Sequence, residues 1–322
     1  MDSFADKLAV ITGGGTGMGR ELARQLAAEG CHVATCDVSE EAMAETRDLC
    51  RKEGPADLRI TTHLADVSLR EEVDAFRNAV VREHETDHVN LLFNNAGIGG
   101  AGSFLVDGEE AWEKTFAVCW NGVYNCSRAF MPLLVASDEA HVVNTSSVNG
   151  FWASLGPQTA HTSYSAAKFA VKGFTEALVN DCRLNAPHVG VSLVMPGHVG
   201  TSIIINSSRI LGFDPKELTD DQVEEARGRI ERMMGVDLSA SSDEQIKLLL
   251  QARAEQFRDE APMSAAEAAR VILDGVREKR WRILVGDDAH VLDRLVRENP
   301  EEAYEPSFFE RLVAETNWQL GG

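Results

Sequence analysis

The chain has 322 residues, 44% of them hydrophobic, and a formal charge of −20. That length and apolar content suffice for a substantial core. The acidic balance argues against nucleic acid and anionic membranes as partners, and no signal peptide or apolar run of membrane-spanning length is visible.

Strand-like and helix-like segments alternate along the chain. Lys7–Thr12 is a short apolar run with β-branched residues, as a buried parallel strand should be. Gly13-Gly14-Gly15-Thr16-Gly17-Met18-Gly19 follows, and a helix is expected over 17–29. Strand, glycine turn and helix together present backbone N–H groups and a helix N-terminus to a pyrophosphate. The glycines let the backbone approach a ligand with no Cβ in the way. A second strand over 32–37 ends at Asp37, 18 residues after Gly19, near the spacing at which a carboxylate accepts the ribose hydroxyls of a dinucleotide. That carboxylate would repel a 2′-phosphate, which favours NAD over NADP. Ser39, before Glu40 and Glu41, is the better candidate for the cap of the next helix.

Further strands are expected near 59–65, 89–94, 140–146, 189–195 and 281–285. Further helices are expected near 40–53, 69–84, 108–135, 163–185 and 264–279. The pattern predicts an α/β, doubly wound parallel sheet with helices on both faces, a Rossmann-type fold, as a single domain over 1–322. Five cysteines, Cys31, Cys36, Cys119, Cys126 and Cys182, fall in apolar contexts, and the six show no C-x-x-C pairing. They read as reduced core thiols of a cytoplasmic protein, with no metal site.

Tyr164 and Lys168 stand four residues apart, about one helical turn, so both rise from one helix face. A phenol has an unperturbed pKa of roughly 10. An ammonium one turn away stabilises the phenolate and is expected to lower that pKa. The pair therefore reads as a proton donor and acceptor for an alcohol or carbonyl.

With these motifs in order, the chain resembles the short-chain dehydrogenase/reductase superfamily, of the shorter, non-extended type. The resemblance covers about residues 5–200 and resumes near 262–287. It implies a cofactor loop at Thr12-Gly13-x-x-x-Gly17-x-Gly19, including Gly15, Thr16 and Met18. It implies adenine contacts at Asp66 and Val67, and a strand end at Asn94-Asn95-Ala96-Gly97. It implies a catalytic tetrad of Asn121, Ser147, Tyr164 and Lys168. It places the nicotinamide side at Pro196, Gly197, Val199 and Thr201. Ser146 is the alternative serine; Ser147 has the better distance to Gly150. The 17 residues from Ser147 to Tyr164 exceed the family's usual spacing, so the loop over 151–161 should reshape the adjoining pocket.

Residues 201–262 form an insertion expected to close over substrate as a lid. Its isoleucines, Ile203–Ile205, either line an apolar site or pack helices against the body. Asn149, Trp152, Leu155, His161, Ile98 and Ile204 are the candidate pocket residues. The extension over 287–322, with Phe308 and Trp318, could pack in its own chain or against a neighbouring subunit. The expected activity is NAD-dependent interconversion of a secondary alcohol and a ketone, with a bulky apolar substrate. An NADP-linked carbonyl reductase and a non-catalytic NAD-binding scaffold are the competing readings. The resemblance also implies a homo-oligomer, most often a tetramer, otherwise a dimer.

Overall fold

The structure is a computed structural model that describes residues 1–316 and Trp318, apart from Ala101 and Gln158. In chain order the elements are β1 (Leu8–Thr12), α1 (Gly17–Ala28), β2 (His32–Asp37), α2 (Glu40–Glu53), β3 (Ile60–Leu64), α3 (Arg70–His84), β4 (Leu91–Asn94) and α4 (Glu109–Phe116). Then come α5 (Gly122–Val135), β5 (Ala140–Thr145), α6 (Thr162–Asn185), β6 (Val189–Pro196) and β7 (Val199–Gly200). The chain continues through α7 (Ile203–Ile210), α8 (Asp220–Met234), α9 (Asp243–Asp259), β8 (Met263–Ser264), α10 (Ala265–Arg277), β9 (Arg282–Val285), α11 (Asp287–Glu298) and α12 (Pro306–Glu315).

Seven strands make one sheet in the order β3-β2-β1-β4-β5-β6-β9, every pair parallel. The strand order reverses between β1 and β4, which opens a crevice at their carboxyl ends. Side chains alternate across the pleat and feed two cores. Val10, Leu92 and Val142 pack on one face with Phe76 of α3 and Phe130 of α5. Ile11, Phe93 and Val143 pack on the other with Leu22 of α1 and Ile272 of α10. All six cysteines are free and buried.

The helix expected over 108–135 is broken. Gly122 N–H donates to Ala117 O, five residues back, so residues Ala117–Asn121 form a π turn between α4 and α5. Such bulges cluster at functional sites. Gly122 sits where a Cβ would stand 2.6 Å from Val67 Cγ2, so only glycine lets α5 dock there.

Between β7 and β8, residues 203–259 hold α7, α8 and α9. Leu218, Val223, Ile230 and Ile246 give α8 and α9 a small core of their own. Arg227 ties that hairpin: its guanidinium donates to Leu238 O, Ser241 O and Asp243 Oδ1.

The C-terminal helices fold back on their own chain. Trp152 is 2% exposed and packs against Phe308 and Trp318, with its Nε1 donating to Ala303 O at 2.6 Å. Truncating such a buried aromatic costs about 3–5 kcal/mol. Trp152 is therefore a core residue and lies outside the wall of the large cavity beneath α7–α9. Its neighbours come from about 150 residues further on, beyond any local pattern.

His84 and His141 are buried, and burial pushes both imidazoles down to about 4. His141 Nε2 lies 2.7 Å from Ser192 Oγ, and Gly190 on the next strand leaves room for its ring. An unfolded histidine titrates near 6.5. Between pH 6.5 and 4 the unfolded chain thus binds protons that the folded chain refuses, so stability falls as pH drops through that window. The Tm should fall from pH 7 to 5, and more steeply than in a His141→Gln variant, where the common contribution of the acidic surface is unchanged. Equal slopes for the two proteins would contradict the buried neutral imidazole.

Candidate active site

The glycine turn is built by close approaches. Gly13, at φ +67°, lies where a Cβ would stand 2.8 Å from Ala96 Cα. A Cβ at Gly19 would stand 2.1 Å from Gly13 O, which would push α1 off the turn. Thr12 Oγ1 accepts from the N–H groups of Asn95 and Ala96, tying β1 to the end of β4. Sequence reasoning read Thr12 only as part of the motif; its position facing β4 gives it this bracing role. Asp37 Oδ2 accepts from Gly15 N–H at 2.9 Å, so the carboxylate at the end of β2 faces the turn. Ser39, not Asp37, caps α2 by accepting from Ala42 N–H. Met18 packs against the α1 core.

Asp66 Oδ1 accepts from Ser68, and Oδ2 pairs with Lys114 Nζ at 2.6 Å. Burial opposes ionisation, but Lys114 and Ser68 hold the Asp66 carboxyl below its ordinary range. Lys114 was not foreseen, because the contact crosses from α4 to the loop after β3. Val67 is buried against Gly122, and its carbonyl accepts from Asn125. Asn94 is also buried: its side-chain nitrogen donates to Ser127 and Asn144, while its Oδ1 has no partner among the described residues.

β5 and α6 bring Ser147, Tyr164 and Lys168 together. Ser147 accepts from Asn149 N–H at 3.1 Å, and its hydroxyl favours the ionised form of Tyr164. Lys168, 2% exposed, donates to Thr145 O at 2.9 Å, and its Nζ lies 5.3 Å from the Tyr164 ring centroid. Gly97 passes close to this ammonium: a Cβ there would stand 3.4 Å from Nζ. Asn121 sits at the end of the π turn. Burial pushes the Tyr164 phenol above its ordinary value, while Lys168 and Ser147 pull the other way. The net shift is therefore upward, against the expected lowering. Burial outweighs an ammonium that turns toward a carbonyl.

Ser146 is turned away from this group. Its Oγ donates to the main-chain oxygen of Lys168 at 2.8 Å and is 1% exposed. Asn149 is buried too, donating to Trp152 O and Ser154 O, so it braces the loop and does not face a pocket. Ile98 is likewise in the core. His161 lies against Tyr164, ring centroids 4.8 Å apart.

In the turn after β6, Gly197 N–H donates to Val285 O, and Val199 is buried in the core beside α10. Thr201 approaches the glycine turn, 3.1 Å from where a Gly17 Cβ would stand. α7 closes over the same place: Asn206 donates to Thr16 Oγ1, and Gly99 N–H donates to Ser207 Oγ. Arg229 of α8 pairs with Asp107 at 3.0 Å. Under these helices lies a cavity of about 1230 Å³, walled in part by Leu155, Ile204, Ile205, Leu211, Phe213 and Phe257. Ser147, Tyr164 and Lys168 are not in its wall, which includes Thr16 of the glycine turn, Gly99 and Leu155.

The pattern of the short chain dehydrogenase family matches residues 7–209. A Mycobacterium tuberculosis protein named as an oxidoreductase, SadH, is 32% identical over 315 residues, 98% of this chain and 96% of that one. A short-chain dehydrogenase/reductase from Burkholderia phymatum, solved in complex with NAD, is 29% identical with a TM-score of 0.74, covering 95% of this chain and 98% of that one. A metagenomic short-chain oxidoreductase solved with NADP is 28% identical with a TM-score of 0.53, covering 60% of this chain and 83% of that one. The chain belongs to the short-chain dehydrogenase/reductase family of oxidoreductases. Its structural neighbours bind NAD or NADP, and among the described residues no helix is long and apolar enough to cross a membrane.

The two serines separate cleanly by experiment. Ser147→Ala should lower turnover by about 10²-fold or more, as removal of an oriented oxygen partner does. Ser146→Ala should leave turnover within a few-fold and lower Tm, because a buried hydrogen bond contributes about 1 kcal/mol. The reverse pattern in paired kinetics and thermal melts would reassign the roles.

Proposed function

We propose that the chain is an NAD-dependent dehydrogenase that interconverts a secondary alcohol and a ketone on a bulky, apolar body. The observation that carries this reading is Tyr164 on one helix face with the buried Lys168, whose Nζ lies 5.3 Å from the phenol ring, and Ser147 near enough to favour the phenolate. The glycine turn fits a dinucleotide, because its close backbone approaches leave no room for side chains, and Asp37 faces it. Asp37 is the residue that favours NAD over NADP, by repelling a 2′-phosphate. Bound there, the cofactor would accept or supply hydride at its nicotinamide ring.

The chain's own residues do the rest. Ser147 Oγ holds the substrate oxygen. Tyr164 takes the hydroxyl proton during oxidation and returns it during reduction. Lys168 stabilises the phenolate against the cost of its burial. Asn121, at the π turn, connects Lys168 to solvent through an ordered water. Asp66 and Val67 flank the adenine, with Lys114 fixing Asp66. Residues 201–262 act as the lid, and the 1230 Å³ cavity beneath them takes the apolar body. Of the candidate pocket residues, Leu155, Ile204 and Ile205 remain in its wall. α5 and α6 expose Tyr124 and Phe169, a surface suited to a homo-oligomer; Val118 on the same stretch is already buried in its own chain.

Initial rates with NAD and with NADP across a panel of secondary alcohols test the reading. Alicyclic and other bulky apolar alcohols should reduce NAD, with NADP much poorer. Tyr164→Phe should lower kcat by about 10²–10⁴-fold, the usual contribution of a general base, while NAD binding survives. A preference for NADP would overturn the Asp37 argument, and near-normal turnover of Tyr164→Phe would remove the base.

A further inference from the structure

The turn after β6 carries a histidine whose contacts join three parts of the fold. His198 is 4% exposed. Its Nε2 lies 2.8 Å from the carbonyl oxygen of Phe257, in the last turn of α9, and the two rings pack with centroids 4.4 Å apart. Its main-chain N–H donates to Asp288 Oδ2 at 2.7 Å, in the first turn of α11. Gly197 beside it has no space for a side chain: a Cβ would stand 2.3 Å from both carboxylate oxygens of Asp288.

These contacts fix the chemistry of the ring. A carbonyl oxygen only accepts, so Nε2 carries the proton and Nδ1 is a bare acceptor. Nδ1 is buried and has no partner among the described residues. The ring is thus held by the one bond to Phe257. That bond also serves the helix, since the last four carbonyls of α9 have no partner within it. A second contact reinforces the joint. A Cβ at Gly200 would stand 2.5 Å from Arg258 O, so the end of α9 rests directly on β7. His198 and Phe257 both border the large cavity.

We propose that His198 is a positioning residue that couples the turn 196–200 to α9, so that binding of the nicotinamide end of the cofactor steadies the helices over the substrate. This rests on the proposed reading that the turn takes the nicotinamide and that residues 201–262 cover the substrate. The ring Nε2–H of His198, bonded to Phe257 O, carries the coupling; the stacking of its ring on Phe257 only fills space.

Hydrogen exchange on the full chain with and without NAD tests it. In the wild type, NAD should slow exchange both at 13–19 and at 243–259. His198→Phe keeps the stacked ring and loses the donor; it should keep the slowing at 13–19 and lose it at 243–259. His198→Gln places an amide nitrogen near the Nε2 position and should restore it. Substrate KM should rise roughly tenfold in the Phe variant, the effect of one lost hydrogen bond, and recover in the Gln variant. Slowing at 243–259 that survives in His198→Phe, or a Gln variant that behaves like Phe, would overturn the proposal. If NAD slows neither region of the wild type, the cofactor reading itself fails, which is a separate result. Nitrogen NMR of wild-type His198 gives an arm that needs no variant. A neutral ring protonated at Nε2 is expected, and a proton on Nδ1 would overturn the coupling.

Discussion

Lys168 sets the terms for the centre of this molecule. An ammonium held away from water costs several kcal/mol unless dipoles and hydrogen bonds compensate it. Here the compensation comes from the Thr145 carbonyl at the end of β5 and from the face of the Tyr164 ring. Both must therefore be placed with little freedom. Asn94 donates to Asn144 and Asn144 to Thr175, a buried polar bridge that fixes β4, β5 and α6 to one another. Ser146 holds the carbonyl of Lys168 itself. Such a bridge favours one register, and Asn94 Oδ1 is buried beside it without a hydrogen-bond partner among the described residues.

The same economy governs the carboxyl ends of the strands. Thr12 braces the end of β4, Asp37 braces the glycine turn, and the turn in turn packs against Ala96. A Cβ at Gly13 or Gly19 would meet backbone, and one at Gly14 the buried Thr35 side chain. α7 then reaches across to Thr16 and Gly99, so the helices of residues 203–259 are anchored on the crevice and not only on one another. The large apolar cavity is a consequence: α8 and α9 satisfy their own core and leave their remaining apolar surface over the crevice. From α11 onward Leu292, Leu295, Phe308, Leu312 and Trp318 join a core with Trp152, and through Asp288 α11 supports the turn beside Gly197.

Much of this was legible because buried parallel strands are continuous apolar runs, and β1, β2 and β6 read that way. The glycine turn was legible because its close packing tolerates few other residues. What could not be read depends on distant contacts. Trp152 looked like a pocket wall until α12 and Trp318 covered it. The π turn arises from docking Gly122 on Val67, and a helical pattern alone does not register a single extra residue. The Tyr164–Lys168 spacing was correct, but its electrostatic outcome depended on burial that spacing does not encode. Asn149 and Ser146 carry side chains suited to a site, and only their hydrogen-bond partners show them to be bracing residues.

The central claim is that the buried ammonium of Lys168 governs the proton affinity of Tyr164 during turnover. The most direct measurement is the pH dependence of kcat for the proposed alcohol oxidation in the wild type and in Lys168→Met, a variant that keeps the apolar stem without the charge. Oxidation needs the phenolate, so the rate should rise with pH, and loss of the ammonium should move that rise upward by about one unit or more. An unchanged pH profile with merely reduced amplitude would contradict the account.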